Sequence, residues 1–393
     1  MIESEAVSAP PPGERWSWPP LFGLLEIQFG AAVGFLQTAV PYALAREGMS
    51  LAEIGLLSGT AFSPHAWKLL WVPLIDLGPW RRLWYGVSTL LTALFLLACA
   101  FLDNPSQHLA QYTLLLTGMQ ASATTAHAAL NGLMATTTRI EDKGRTGGWQ
   151  MAGNVGATSL LGALAIWLTS TYSRRTTGLV LALLVLVSGA GIFWIVERVD
   201  ATRAPAGPLL RAAWARVKGL LLDLGRTAFS RDGLTLLALC LMPVSCGALT
   251  NLFSAMAVDY QVSEHVVELV NGLGMGVTGA LGSLFGGWLS DRINRKLNYA
   301  LMGAFTGVCA FAMAASPMTP TTYVWGTLAY GFANGAGCAA FAGMVLGMVS
   351  EGAAVTTKYT LFVATSNLAV NYVTVLDGHA SGFRGLEIGR AHV

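Results

Sequence analysis

Read for its apolar and polar positions, the chain is a succession of long apolar runs separated by short polar turns. The runs predict eleven helical spans, at 20–45, 51–75, 83–102, 109–137, 147–169, 176–196, 233–259, 265–289, 297–315, 321–349 and 354–376. Helices of about 20 apolar residues cross a hydrocarbon core of ~30 Å. Periodicity inside a run says little, because lipid and a neighbouring helix are both apolar. The punctuation says more. Ser50-Leu-Ala-Glu53 is a capping box that opens the second span. Glycines at 153, 156 and 162 in the fifth span, and at 272, 276, 282 and 286 in the eighth, are small-residue steps that let helices pack closely.

One turn stands out because it occurs twice. Trp71-Val-Pro-Leu-Ile-Asp76-Leu-Gly-Pro-Trp-Arg81-Arg82-Leu-Trp-Tyr85 closes the second span and opens the third. Gly287-Trp-Leu-Ser-Asp291-Arg292-Ile-Asn-Arg295-Lys296-Leu-Asn-Tyr299 does the same for the eighth and ninth. The copies lie roughly 214 residues apart, and Asn154 and Asn367 recur at a similar offset. A chain that repeats itself after an even number of spans is two parallel half-bundles. The expected division is a disordered cytoplasmic tail (1–19), a six-helix bundle (20–196), a cytoplasmic linker (197–232) and a second bundle (233–386). In the linker Leu210, Trp214, Val217, Leu221 and Leu224 recur at helical spacing, so it should hold an amphipathic helix at the membrane face.

Composition fits a polytopic membrane protein. The chain is 54% hydrophobic and only 11% charged, against about 25% charged in a globular domain. Its five cysteines all lie in apolar runs without ligand spacing, and a Gly274–Gly279 glycine pattern lies inside a span with no strand before it. No nucleophile–base pair, zinc spacing or phosphate loop is present, so neither an enzyme nor a cofactor is expected. The net charge of +2 gives no reason to expect a nucleic acid. The placement of charge is informative. Arg15, Arg81, Arg82, Arg139, Lys143, Arg145, Arg292, Arg295, Lys296, Lys358 and the linker fall on one side. Only Arg46, Arg174, Arg175 and Arg384 fall on the other. The basic side is cytoplasmic by the positive-inside rule, which puts the N-terminus there too.

The arithmetic of the repeat leaves one span over: a counterpart of the sixth should lie at roughly 389–409, beyond Val393. Residues 387–393 read like a translated sequencing adapter. The expectation is therefore a twelve-span bundle without its last span.

Gly286-Gly-Trp-Leu-Ser-Asp291-Arg-Ile-Asn-Arg295-Lys296 resembles the cytoplasmic loop signature of the major facilitator superfamily. Within it the chain resembles the AmpG-type muropeptide permeases and the related acetyl-CoA transporters. The likeness rests on Gly48-Met-Ser50-Leu-Ala-Glu53-Ile-Gly-Leu-Leu, Trp67-Lys68-Leu-Leu-Trp71-Val-Pro-Leu-Ile-Asp76, Lys143-Gly-Arg145-Thr-Gly-Gly-Trp149-Gln-Met-Ala-Gly153 and Asp377-Gly-His-Ala-Ser-Gly-Phe-Arg-Gly385. One departure matters: where those permeases carry two acids late in the fourth span, His127 and Asn131 stand here. The resemblance implies an all-α fold of two parallel six-helix repeats and alternating access. It also implies that Asp291 faces the N-terminal end of a neighbouring helix. Asp76, Arg81, Arg82, Asp291, Arg292, Arg295 and Lys296 would then be cytoplasmic gate loops. The first, fourth, seventh and tenth spans of that superfamily line the central cavity.

Polar side chains on those spans are the candidate site, because ionisable groups in lipid cost several kcal/mol and usually serve function. His127, Asn131, Asn251, Tyr330 and Asn334 on those spans, with Lys68 on the second, are the expected solute path, and Glu26 and His127 are rival proton carriers. Each has a plainer reading. Glu26 snorkels to the interface, Lys68 pairs permanently with Glu26, and His127 is a hydrogen-bonded packing residue. Asn154 and Asn367 read as interhelical ties. The expected protein is a monomeric inner-membrane secondary transporter of a small polar, anionic solute, coupled to protons. A transporter-like sensor of cell-wall fragments, signalling through the linker, is the alternative.

Overall fold

The computed structural model describes residues 16–77, 80–195, 197, 209–245, 247–251, 253–257, 259–349 and 354–383. Among them every regular element is helical. In chain order these are α1 (Pro19–Gly34), α2 (Val40–Arg46), α3 (Leu51–Phe62), α4 (Pro64–Trp67), α5 (Val72–Leu77), α6 (Arg81–Phe101), α7 (Leu109–Thr137), α8 (Lys143–Thr171) and α9 (Arg174–Gly189). They continue with α10 (Leu209–Ala228) in the linker, α11 (Arg231–Leu241), α12 (Phe253–Met256), α13 (Glu264–Glu268), α14 (Met275–Ser290), α15 (Arg295–Ala315), α16 (Pro320–Met348) and α17 (Val355–Phe383). Apart from α10, and grouped by the turns between them, they fall where the eleven apolar runs lie. Seven of these stretches are long and apolar enough to cross a membrane: 19–46, 81–101, 140–171, 174–194, 265–290, 295–315 and 320–348.

The remaining stretches fall short for identifiable reasons. The second is broken at Ser63-Pro64, where the ring removes a backbone donor, and continues as α4, a short 3-10 turn (Lys68–Leu70) and α5. The seventh breaks after α11, where Gly247 takes a left-handed φ of 67°. The fourth, α7, is continuous but carries Gln120, Thr124, His127 and Asn131 along one face. Helix starts are set by side chains. The Ser50–Glu53 capping box forms, with Ser50 N donating to Glu53 Oε2 at 3.0 Å. Ser173, Ser230, Asn294 and Thr319 cap α9, α11, α15 and α16.

Helices pack backbone to backbone where glycines meet. A Cβ at Gly30 of α1 would lie 2.6 Å from Ala157 Cβ of α8, and one at Gly153 of α8 would run into the Gly23 carbonyl of α1. On α14, Gly282 and Gly286 lie against Phe332 and Ala336 of α16. Across the middle of the molecule α8 meets α14, where a Cβ on Gly148 would lie 2.9 Å from Gly287 Cα. Gly272 is an exception among the predicted packing glycines: it sits in a π-helical turn (Leu269–Gly274) and faces open space.

The linker helix α10 forms. In it Leu220 is buried, Val217 and Leu224 are half-buried and Leu221 is 59% exposed, while the side chains of Leu210 and Trp214 lie outside the described set. Asp223 accepts from Ala354 N at 2.9 Å and pairs with Lys358 Nζ at 2.8 Å, tying α10 to the start of α17. The tail 1–15 and residues 384–393, including the predicted adapter-like end, lie outside the described residues.

Candidate functional site

Two constellations emerge, one at the basic end of the molecule and one buried in its N-terminal half. The first is built by the repeated turns. The Asp76 carboxylate, at the end of α5, receives Thr356 N (3.2 Å), Thr357 N (2.8 Å) and Thr357 Oγ1 (2.8 Å) from the first turn of α17. Arg81 Nη2 donates to the same carboxylate at 2.8 Å, and Arg81 Nε donates to Thr356 Oγ1 at 2.9 Å. Asp291, just past α14, does the reciprocal thing. It receives Gly144 N (2.7 Å), Arg145 N (2.9 Å) and Arg145 Nε (3.0 Å) at the start of α8. A helix start is where unpaired N–H groups and the positive end of the helix dipole await an anion. Each half thus offers an acid to a helix start of the other. Burial raises the Asp291 carboxyl above its ordinary pKa, against the pull of the Arg145 and Gly144 donors.

The other loop residues brace these caps. Arg82 N and Arg81 N both donate to Glu197, at 3.0 and 2.8 Å, so this acid caps α6. Arg292 lies over the Trp288 ring, 3.9 Å from its centroid. Arg295 reaches Ile140 O, and Lys296 pairs with Asp232 at 3.0 Å. Lys143, nearly fully buried, donates to Ala135 O (2.9 Å) at the end of α7 and to Leu346 O (3.2 Å) near the end of α16. This end of the molecule is closed.

The second constellation centres on Glu26 of α1, which is 0% exposed. Its Oε1 lies 2.6 Å from His127 Nδ1 of α7 and accepts from Asn154 Nδ2 of α8 at 2.8 Å. Its Oε2 has no hydrogen-bond partner. Glu26 therefore does not snorkel, and the two rival proton carriers form one hydrogen-bonded unit. Lys68, in the 3-10 turn after the Pro64 break, is 5% exposed. No described residue bonds or pairs with its ammonium, so it is not in a fixed bridge with Glu26, although the Glu26 charge reaches it. An aromatic column joins the two regions. His65 stacks on Phe62 (4.0 Å), Phe29 lies 5.5 Å from His65, and Phe29 stacks on His127 at 4.4 Å. His65 Nε2 meets Gln120 Oε1 at 3.0 Å. Asn131 is buried, with its Oδ1 unpartnered.

The candidates on the C-terminal half stand apart from this cluster. Tyr330 packs edge-on to Phe253 at 5.3 Å. Asn334 lies against Gly247, with a buried, unpartnered Oδ1. The side chains of Asn251 and Asn371 lie outside the described set. Asn154 bonds to Glu26, whereas Asn367 is exposed and ties no helix among the described residues. Sequence reasoning overlooked His65, Gln120, Gln150 and Tyr359. Gln150 and Tyr359 are nearly or fully buried, with side-chain polar atoms unpartnered. The signal for His65 was available: an ionisable residue directly after a proline that interrupts a span.

Seven membrane-length helical stretches, held together at one end by reciprocal acid caps, fit a multi-pass membrane protein. The chain belongs to the Major Facilitator Superfamily, whose sequence model matches residues 23–370. Among solved structures it is similar to the proton:xylose symporter XylE bound to 6-bromo-6-deoxy-D-glucose. That match has a TM-score of 0.64 at 13% identity, covering 94% of this chain and 88% of that one. It is also similar to the human organic anion transporter MFSD10, with a TM-score of 0.62 at 16% identity, covering 91% and 92%. These likenesses establish the fold.

Proposed function

We propose that the protein is a proton-coupled secondary transporter of a small polar, anionic solute, working by alternating access in the cytoplasmic membrane with its N-terminus inside. The observation that carries this reading is the buried Glu26–His127 pair beside an unpartnered Lys68. Buried ionisable groups in a membrane bundle mark ion and solute paths. A carboxyl–imidazole pair takes up and releases one proton as a unit. A lysine without a partner is suited to a carboxylate or phosphate. XylE is a proton symporter and MFSD10 an organic anion transporter, and both capacities suit these residues. The domain division into bundles 20–196 and 233–386 gives the two rocking bodies.

The reciprocal caps serve as latches. A carboxylate at a helix start gains ~0.3–1 kcal/mol from the dipole, and that gain disappears when the halves separate; at Asp291 burial works against it, so that latch holds better protonated. The likeness to muropeptide and acetyl-CoA carriers supplies the first solutes to try. Purified protein in liposomes with an imposed pH gradient would be offered anhydromuropeptides and acyl-CoA-like anions. Accumulation that collapses with the gradient is the expected result. Saturable binding without accumulation would replace the transport reading by the sensor one.

A further inference from the structure

Lys68 is an ammonium 95% withdrawn from solvent by the burial of its residue, and among the described residues the only opposite charge that reaches it belongs to Glu26. The titratable groups facing this region come from several elements. They are Glu26 on α1, His65 on α4, Lys68, Tyr85 on α6, His127 on α7 and Tyr359 on α17. Tyr85 donates its hydroxyl to Leu25 O at 2.6 Å. His65 donates to Gln120 from Nε2, since the amide oxygen can only accept. Lys68 brings the basic group to this region, and the Glu26–His127 pair is the place where a proton can be added.

Resting on the transporter reading, we infer that Lys68 and the Glu26–His127 pair form a charge-exchange site. Deprotonated, the pair supplies the charge that balances Lys68. When it takes up a proton, one negative group of the solute binds Lys68 and supplies that charge instead. The proton goes to the pair, through the unpartnered Oε2 of Glu26 or the imidazole, and no other bond is made or broken.

Four occupancy states follow. Empty and deprotonated, the site is neutral. With a proton and one solute anion it is again neutral. With the proton alone it holds one uncompensated positive charge, and with the anion alone one uncompensated negative charge. An uncompensated buried charge is strongly disfavoured. Only the two neutral states are cheap to enclose, and these are the states a symporter must enclose. The site thus specifies a solute that places a single negative charge on Lys68, one proton per such charge, and an electroneutral step. A neutral sugar does not satisfy it. The unpartnered Asn131 Oδ1, on the same face of α7 as His127, is a further polar contact for the solute.

The test uses the full chain in lipid nanodiscs with formate, the smallest carboxylate, as the probe. Affinity is read from the formate dependence of thermal unfolding at constant ionic strength and several pH values. If the proton must bind first, the apparent Kd rises about tenfold per pH unit on the alkaline side of the pair's titration. Glu26→Gln should bind formate with no pH slope. Lys68→Met should not bind it at any pH, and Lys68→Arg should keep both binding and slope. Formate binding that is flat with pH in the wild type, that survives Lys68→Met, or that is absent throughout would overturn the proposal. Liposome flux separates this inference from its parent. A pH-linked formate site without solute accumulation would sink the transport reading and keep the exchange site. Accumulation that carries net charge would do the reverse.

Discussion

Replacing Thr357 by valine removes one hydroxyl from the Asp76 cap while keeping the side chain's shape. In the closed structure Thr357 Oγ1 donates to Asp76 Oδ2 at 2.8 Å, and Thr357 is 2% exposed. Hydrogen bonds to a charged group contribute ~1.5–3 kcal/mol. The bond crosses between the halves, so it exists only while this end is shut. The Arg81–Asp76 pair lies within one half and is unaffected by opening. At about 1.4 kcal/mol per factor of ten, the open-to-closed ratio should rise roughly ten- to hundredfold. Spin labels at Trp80 and Leu297, both over half exposed near the basic end, would report it. They would be placed on a background with the five native cysteines replaced. A longer-distance population should grow in Thr357→Val and grow further in Asp76→Asn. Distance distributions identical to the wild type in both variants would refute the idea that Asp76 holds this end shut.

The opposite cap adds a pH dependence. Closure holds the Asp291 carboxyl above its ordinary pKa through burial, so the closed state binds that proton more tightly than an open state with a solvated acid. Closure is therefore favoured below the ordinary carboxylate pKa, and this contribution is lost as pH rises through the raised one. Asp291→Asn should flatten that part of the label response, and its transport rate should differ from wild type. Glu197→Gln weakens two donors' cap on α6 and should cost about 1 kcal/mol of thermal stability, with solute affinity unchanged. Gly247→Ala should lower the unfolding temperature and the expression yield, because the new Cβ meets the Asn334 amide and the left-handed φ suits glycine. Glu26→Gln should abolish pH-driven accumulation while the protein stays in the membrane, and pumping that persists there would remove Glu26 from the coupling role.

The helices were legible because lipid forces apolar length and polar turns, and both are written residue by residue. The repeat was legible because Asp76 and Asp291 recur with their basic neighbours. The partners of those acids were not, since Thr356 lies 280 positions from Asp76 and nothing local marks a helix start as a receptor. The central cluster shows the same limit. Glu26, Lys68 and His127 stood out as charges in apolar runs, but which of them touch depends on how three spans rotate. Sequence reading allowed a Glu26–Lys68 bridge, whereas the packing of α1 on α7 brings Glu26 to His127.

In the seam between α8 and α14, Gly148 and Gly287 bring main chain against main chain, with Val155 and Ser159 of α8 packed on Gly279 and Gly276 of α14. The closeness at Gly148 leaves no room for a side chain. A methyl group added there would meet Ser283 O at 2.8 Å and Gly287 Cα at 2.9 Å, so it would act as a wedge and shift the balance away from this arrangement.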